Sequence, residues 1–319
     1  MKAIQRTSIR LYANPQRVLA RYLNVGNAVR IAPVADYVRE LSVDAVAEQL
    51  ESLNQEFGQR HADLTAVFRK NYERLLQYVP PLENADKQVL LGAYFTNEYS
   101  IEAAALFNPS IVAHPDQEGV PNGAIRFLMS LRATGEGHIS SITFATGLID
   151  AQGNILLDER SGHLDSGDVT TDLVREKSFV TKRLNLSEAF QRLLEETLPA
   201  SFNYEEAKQI VGHQKELTLA QQQEIQEALA LVFELNYEVA FEEHIPLLNR
   251  VLFPQSRAET NGIEDARFVT FTEEGKTSYL GTYTAYNGRE IRPQLIETTD
   301  FRHYKIGPFY GEAASDKGM

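Results

Sequence analysis

Asn261-Gly262-Ile263-Glu264-Asp265-Ala266-Arg267 places two acids and a guanidinium within four residues, directly ahead of the apolar run Phe268-Val269-Thr270-Phe271. A Gly after Asn predicts a turn, and the run behind it reads as a β-strand. The two carboxyls are therefore expected where a loop enters a sheet, a usual position for acid/base groups carried on a rigid scaffold. A carboxyl beside an Arg normally stays ionised, whereas one in an apolar pocket is pushed toward protonation, so two acids in unlike surroundings can divide those roles. The competing reading is a surface cluster in a turn, and on spacing alone it is the commoner one.

The flanks extend the β reading. Residues 268–271, the turn Glu273-Glu274-Gly275-Lys276 and residues 279–284 predict a hairpin, and 294–298 predict a further strand before Thr299-Asp300-Phe301. Upstream, Asn108-Pro109-Ser110-Ile111-Val112 reads as a short strand entered through a turn. Ile125, Phe127, Met129 and Leu131 alternate with Arg126, Ser130 and Arg132, the period of two that marks a strand. Residues 139–144 and 155–157 are two more, joined by the turn Asp150-Ala151-Gln152-Gly153-Asn154. Short strands separated by turns predict an antiparallel sheet of the sandwich, barrel or propeller kind.

Two helical blocks interrupt this texture. Ser42 reads as an N-cap for Val43, Val46, Ala47, Leu50, Leu53 and Phe57, and a second helix carries Leu64, Val67, Phe68, Tyr72, Leu75, Leu76 and Val79 up to Pro80-Pro81. Helical periodicity returns from about 172 to 248, with Ser187, Asn203/Glu206 and Thr218/Gln221 as N-terminal caps. The fold class is thus α+β, with residues 1–100 an N-terminal helical domain and 101–319 a β domain carrying a helical insertion at about 170–250.

Composition narrows the function classes. With 319 residues, 43% of them apolar and 24% charged, the chain is long enough to bury a substantial core. A net charge of -13 argues against a sequence-independent grip on nucleic acid or on an anionic membrane surface. There is no Cys, so thiolate metal sites and disulfides are unavailable. Residues 1–15 include Lys2, Arg6 and Arg10 but no apolar core of signal-peptide length, and no later segment reads as a membrane span. A cytoplasmic location is the expectation.

Other motifs are weaker. Gly135-Glu136-Gly137-His138 is a Gly-rich turn between strands that could cradle an anion through its backbone amides, but no helix follows to add its dipole, and a tight hairpin turn is the commoner reading. Arg132, at the end of its strand beside this turn, is placed to hold a hydroxyl or carboxyl in bidentate fashion, although a solitary Arg is more often a surface ion-pair partner. Glu242-Glu243-His244, read as part of a helical stretch, lacks the second His of a zincin. No metal is assigned.

Phe107-Asn108-Pro109-Ser110-Ile111, Ser130-Leu131-Arg132-Ala133 with His138-Ile139-Ser140-Ser141, Gly262-Ile263-Glu264-Asp265-Ala266-Arg267 and Thr298-Thr299-Asp300-Phe301 together resemble glycoside hydrolase family 130, the β-mannoside phosphorylases and β-mannosidases. The resemblance runs from Phe107 to Met319, broken by the helical insertion, and belongs to an N-terminally extended branch. It implies a five-bladed β-propeller with the active site in the central funnel. It also implies that Asp265 is the catalytic acid, protonating the glycosidic oxygen through a sugar hydroxyl, and that Asn108 and Arg132 hold the mannosyl unit. His138 falls where a further sugar contact is expected, and Glu264 and Arg267 flank the acid and set its orientation and pKa. Ala266 departs from the Pro of the compact members, which loosens the turn at Asp265.

The strands counted amount to about two four-stranded blades, and the closing segment 314–319 resembles the start of the next. The expectation is an N-terminal part of a longer protein, with exposed sheet edges and little activity alone. The implied activity is inverting cleavage of a β-mannoside oligosaccharide. It needs no cofactor, inorganic phosphate being co-substrate in a phosphorylase and water in a mannosidase. A non-catalytic carbohydrate-binding or scaffold protein is the alternative, and a homo-oligomer assembled through the helical N-terminus is a third reading.

Overall fold

The computed structural model describes residues 7–160 and 162–310. Lys2, Arg6 and the segment 314–319, read above for targeting and for a further blade, lie outside these residues. The described chain is α+β and divides into two compact units. One comprises the chain up to Leu106 together with Ala133–Gly137 and Glu159–Asp165; the other comprises Phe107–Arg132, His138–Asp158 and the chain from Ser166 onward.

In the first unit, β1 (Val18–Tyr22) is followed by α1 (Ala28–Glu40), α2 (Val43–Phe57), α3 (Leu64–Leu75), α4 (Ala85–Tyr94) and β2 (Thr96–Ser100), which pairs antiparallel with β1. Each helix starts at a side chain that accepts a hydrogen bond from the third helical amide: Asn27, Ser42, Asp63 and Asn84. These caps satisfy donors that have no intrahelical partner. Ile31, Val38, Val46, Leu75, Leu90 and Leu91 form the shared core. The helix expected over 64–79 stops at Leu75, short of Pro80-Pro81, so that the Tyr72 hydroxyl receives the Leu82 amide at 2.8 Å. Arg17 and Glu102, both buried, pair at 3.0 Å, and Arg160 donates to the same carboxyl.

The second unit carries β3 (Ala105–Ala113), β4 (Ile125–Thr134), β5 (Ser140–Ile149), β6 (Ile155–Leu157), β7 (Asp168–Thr170) and β8 (Arg175–Glu176). Next come α5 (Lys177–Thr181), α6 (Glu188–Thr197), β9 (Ser201–Phe202), α7 (Tyr204–Gly212) and α8 (Leu219–Leu235). It ends with β10 (Tyr237–Ala240), β11 (Val251–Leu252), β12 (Gly262–Glu273), β13 (Lys276–Tyr286), β14 (Ile291–Thr298) and β15 (His303–Pro308). Eleven of these strands make one sheet in the order β3-β4-β5-β12-β13-β14-β15-β10-β7, with β6 and β11 both on β5. Two antiparallel groups are joined where β12 meets β5 in parallel, through the single pair Gly262↔Ser140. A Cβ at residue 262 would lie 2.6 Å from the Ser140 amide nitrogen, and its φ is +137°, so only Gly permits this junction. Among the described residues no closed propeller is formed; the path of this sheet starts at β3 and ends at β7.

The predicted caps of the insertion are present. Ser187 caps α6, and Asn203/Glu206 and Thr218/Gln221 form full capping boxes on α7 and α8. Val180, Leu194, Phe202, Ile225, Leu229 and Phe233 give this block its own core. Helix does not continue to 248, however. It ends at Leu235, and β10 enters the sheet between β15 and β7, which leaves Glu242-Glu243-His244 in a turn. The β-strand wins there because Tyr237 and Val239 bury their side chains in the sheet core. Within that core Phe301 meets Phe144 and Tyr304 edge-on and Phe268 and Tyr279 at a tilt.

Candidate active site

The strand β12 begins earlier than the sequence predicts, so Glu264 and Asp265 lie inside the sheet rather than in a loop entering it. The pairing with β13 runs Glu264↔Thr284 and then Arg267↔Thr282, which sets Asp265 and Ala266 together against Tyr283. This is a β-bulge, and Asp265 takes it in the left-handed region, at φ 56°. A bulge of this kind usually has Gly at that position; a side chain there costs on the order of 1–3 kcal/mol and re-aims the residue out of the strand's alternation.

Asn108, on the edge strand β3, is left-handed too, at φ 51°. Asn and Asp tolerate this region better than other side chains. The following Pro109 has no amide to give to a ladder, which suits an edge strand. These two strained residues meet side chain to side chain: the Asn108 amide donates to Asp265 Oδ1. Arg132, on β4, completes the group. Its Nη1 donates to Asp265 Oδ1 at 3.3 Å, its Nη2 to Glu264 Oε1 at 2.5 Å and its Nε to Ser140 Oγ at 2.9 Å. The guanidinium also lies 4.9 Å from the centre of the Phe107 ring. A lysine could not reproduce this fork and stack.

The two acids have unlike surroundings. The Glu264 side chain is 21% exposed and Asp265 44%, so Asp265 is reachable from solvent while held by two donors. Burial raises the Glu264 carboxyl above its ordinary range; Arg132 opposes that shift and the neighbouring Asp265 adds to it.

The structure thus brings together Asn108, Arg132, Glu264 and Asp265. Arg267 points elsewhere: its Nη1 donates to the backbone oxygens of Asn108 at 2.9 Å and Pro109 at 3.4 Å, fastening β12 to β3 rather than touching the acid. His138, left-handed at φ 60°, is exposed, and its side chain makes no hydrogen bond among the described residues. Phe107 and Ser140, quoted above only as motif neighbours, are direct supports of Arg132. Thr298 and Asp300, also quoted, form a turn: Thr298 Oγ1 accepts the Phe301 amide at 2.9 Å, and Asp300 accepts the amides of Arg302 and His303. The sequence reading missed Glu259, fully buried one turn ahead of β12; the Ser256-x-x-Glu259 spacing was its available signal.

Among the described residues no group of three or more His, Asp or Glu is placed to hold a metal, and no helix is long and apolar enough to cross a membrane. A groove of about 800 Å³, lined by Arg183, Arg292 and Tyr310 among others, shares no residue with the acid cluster.

No family model matches the chain, and no curated protein matches it. Among solved structures, the chain is similar to one from Parabacteroides distasonis ATCC 8503, provisionally described as a glycoside hydrolase. The identity is 14% and the TM-score 0.28, over 68% of this chain and 36% of that one. The chain therefore spans about a third of the length of that protein, and a likeness of this extent carries no argument about chemistry.

Proposed function

We propose that the cluster around Asp265 is the sugar-cleaving site of an enzyme that breaks β-mannosides with inversion, by phosphorolysis to α-mannose 1-phosphate. The reading is supported by one observation above the rest: Asp265 and Asn108, both in strained left-handed conformations, are joined side chain to side chain and shared with Arg132. Strain of this kind persists where surrounding structure over-determines it, and it clusters at ligand and catalytic sites. The motif order that resembles family 130 supplies the substrate class.

In the proposed reaction a phosphate oxygen attacks the anomeric carbon from the face opposite the acid, and the bond to the leaving oxygen breaks. That oxygen takes its proton from Asp265, relayed through a sugar hydroxyl. Asn108 and Arg132 hold the mannosyl hydroxyls. Phosphate needs no protein base, whereas water would need a second acid across the sugar. Hydrolysis of the same bond is the nearest competing chemistry. The two antiparallel groups, β3 to β6 and β12 to β15, are proposed as blades of a five-bladed propeller in a cytoplasmic protein.

The test is made on the full-length protein with β-mannobiose and inorganic phosphate. Phosphate-dependent release of α-mannose 1-phosphate is expected, and Asp265→Asn should lower it by at least about 10²-fold while calorimetry shows sugar binding kept. Phosphate-independent release of mannose would move the assignment to hydrolysis. Binding without turnover would make the protein a carbohydrate-binding one, and unchanged turnover in Asp265→Asn would remove Asp265 from the role.

A further inference from the structure

Behind the bulge lies a buried carboxyl that the proposed chemistry does not use. Glu259 has no exposed surface and closes the short turn Arg257–Glu259 ahead of β12. Its oxygens accept the Tyr237 hydroxyl at 2.9 and 3.1 Å, the Tyr283 hydroxyl, and the amides of Gln255 and Ser256 at 3.0 and 2.9 Å. Tyr237 comes from β10 and Tyr283 from β13, so one side chain ties together two strands that are not neighbours in the sheet. Burial first, and Glu259 second, hold both phenols well above their ordinary pKa, and they remain donors at any working pH.

A buried polar group of this kind adds little stability over a well-packed apolar replacement. Its value lies in fixing one geometry among several. Tyr283 is the residue that stands opposite Asp265 and Ala266 in the bulge, two against one. Tyr279, four residues earlier on the same strand and also buried, has no hydrogen-bond partner for its hydroxyl among the described residues. Of these two β13 tyrosines, the one that Glu259 anchors is the one opposite the acid.

We infer that Glu259 is a positioning residue that acts through the Tyr283 hydroxyl, fixing β13 opposite the bulge and so aiming Asp265 at the leaving-group oxygen. The inference rests on the proposed role of Asp265 as proton donor. A displacement of about 1 Å at a reacting group is enough to lower a rate by about 10²-fold.

The test compares Tyr283→Phe, which keeps the ring and its packing, with Tyr279→Phe as control and Asp265→Asn as reference. Each full-length variant is assayed on β-mannobiose, whose leaving group needs a proton, and on 4-nitrophenyl β-mannoside, whose leaving group departs without one. Tyr283→Phe should lower kcat on the disaccharide about 10-fold with KM held within about 2-fold, and change the aryl substrate little; Tyr279→Phe should change neither. A general loss of folding would lower both substrates alike, which would overturn the inference. If Asp265→Asn itself shows no dependence on the leaving group, the proton-donor role fails. If it does while Tyr283→Phe does not, only the positioning role fails. Hydrogen exchange of the amides at 264–267 gives a readout free of turnover: faster in Tyr283→Phe than in Tyr279→Phe is expected, and equal rates would overturn the inference.

Discussion

Glu264 and Asp265 are adjacent in sequence, yet the bulge sends them to different environments, and Arg132 spans both. Burial raises the Glu264 carboxyl despite its contact with Arg132. The sign follows from linkage: ionising this group is harder in the folded protein than in the unfolded chain, where its value is about 4.3. Stability is therefore expected to fall as pH rises from the unfolded value through the higher folded one. Urea titrations across that window should show a shallower fall for Glu264→Gln than for the native chain; equal slopes would mean that Glu264 is not held in a desolvated site. At this scale the sequence was informative about identity and silent about conformation. Asn108, Arg132, Glu264 and Asp265 were all named from motifs, but spacing could not reveal that two of them are left-handed, nor that Arg267 holds backbone instead of the acid.

Elements with strong local signals were the most legible. The caps at Ser42, Ser187, Asn203 and Thr218 were readable because an N-cap acts within three residues of itself. The hairpin β12–β13 was readable from its Glu-Glu-Gly-Lys turn, although β12 reaches back to Gly262. The helix α4 was not seen, since Val89-Leu90-Leu91 is a continuous apolar run without the helical period. It packs on α3 through Gly92, where an added Cβ would lie 1.8 Å from the Phe68 carbonyl oxygen. Gly92→Ala must push the two helices apart and should destabilise the protein by about 1–3 kcal/mol or more, measured by chemical denaturation. A neutral result would mean that α3 and α4 are less closely packed than described.

At the scale of the whole molecule, sequence defines class better than connection. The α+β character followed from alternating textures, whereas the long-range pairings did not. The junction of β5 with β12 rests on one residue pair, and β10 joins the sheet across the helical insertion. Neither leaves a local periodic signature, because each is decided by what the strand buries and not by its own neighbours in sequence. A net charge of -13 gives the molecule little attraction for phosphate in bulk, so any phosphate it uses needs a local basic cradle. The account stands or falls on whether the bulge at Asp265 receives a sugar. A crystal structure of the full-length Asp265→Asn variant with β-mannobiose tests this most directly. The disaccharide is expected with its glycosidic oxygen, or a hydroxyl leading to it, within hydrogen-bond distance of residue 265, and with mannosyl hydroxyls on Asn108 and Arg132. Sugar bound elsewhere, or none beside those two residues, would contradict the account.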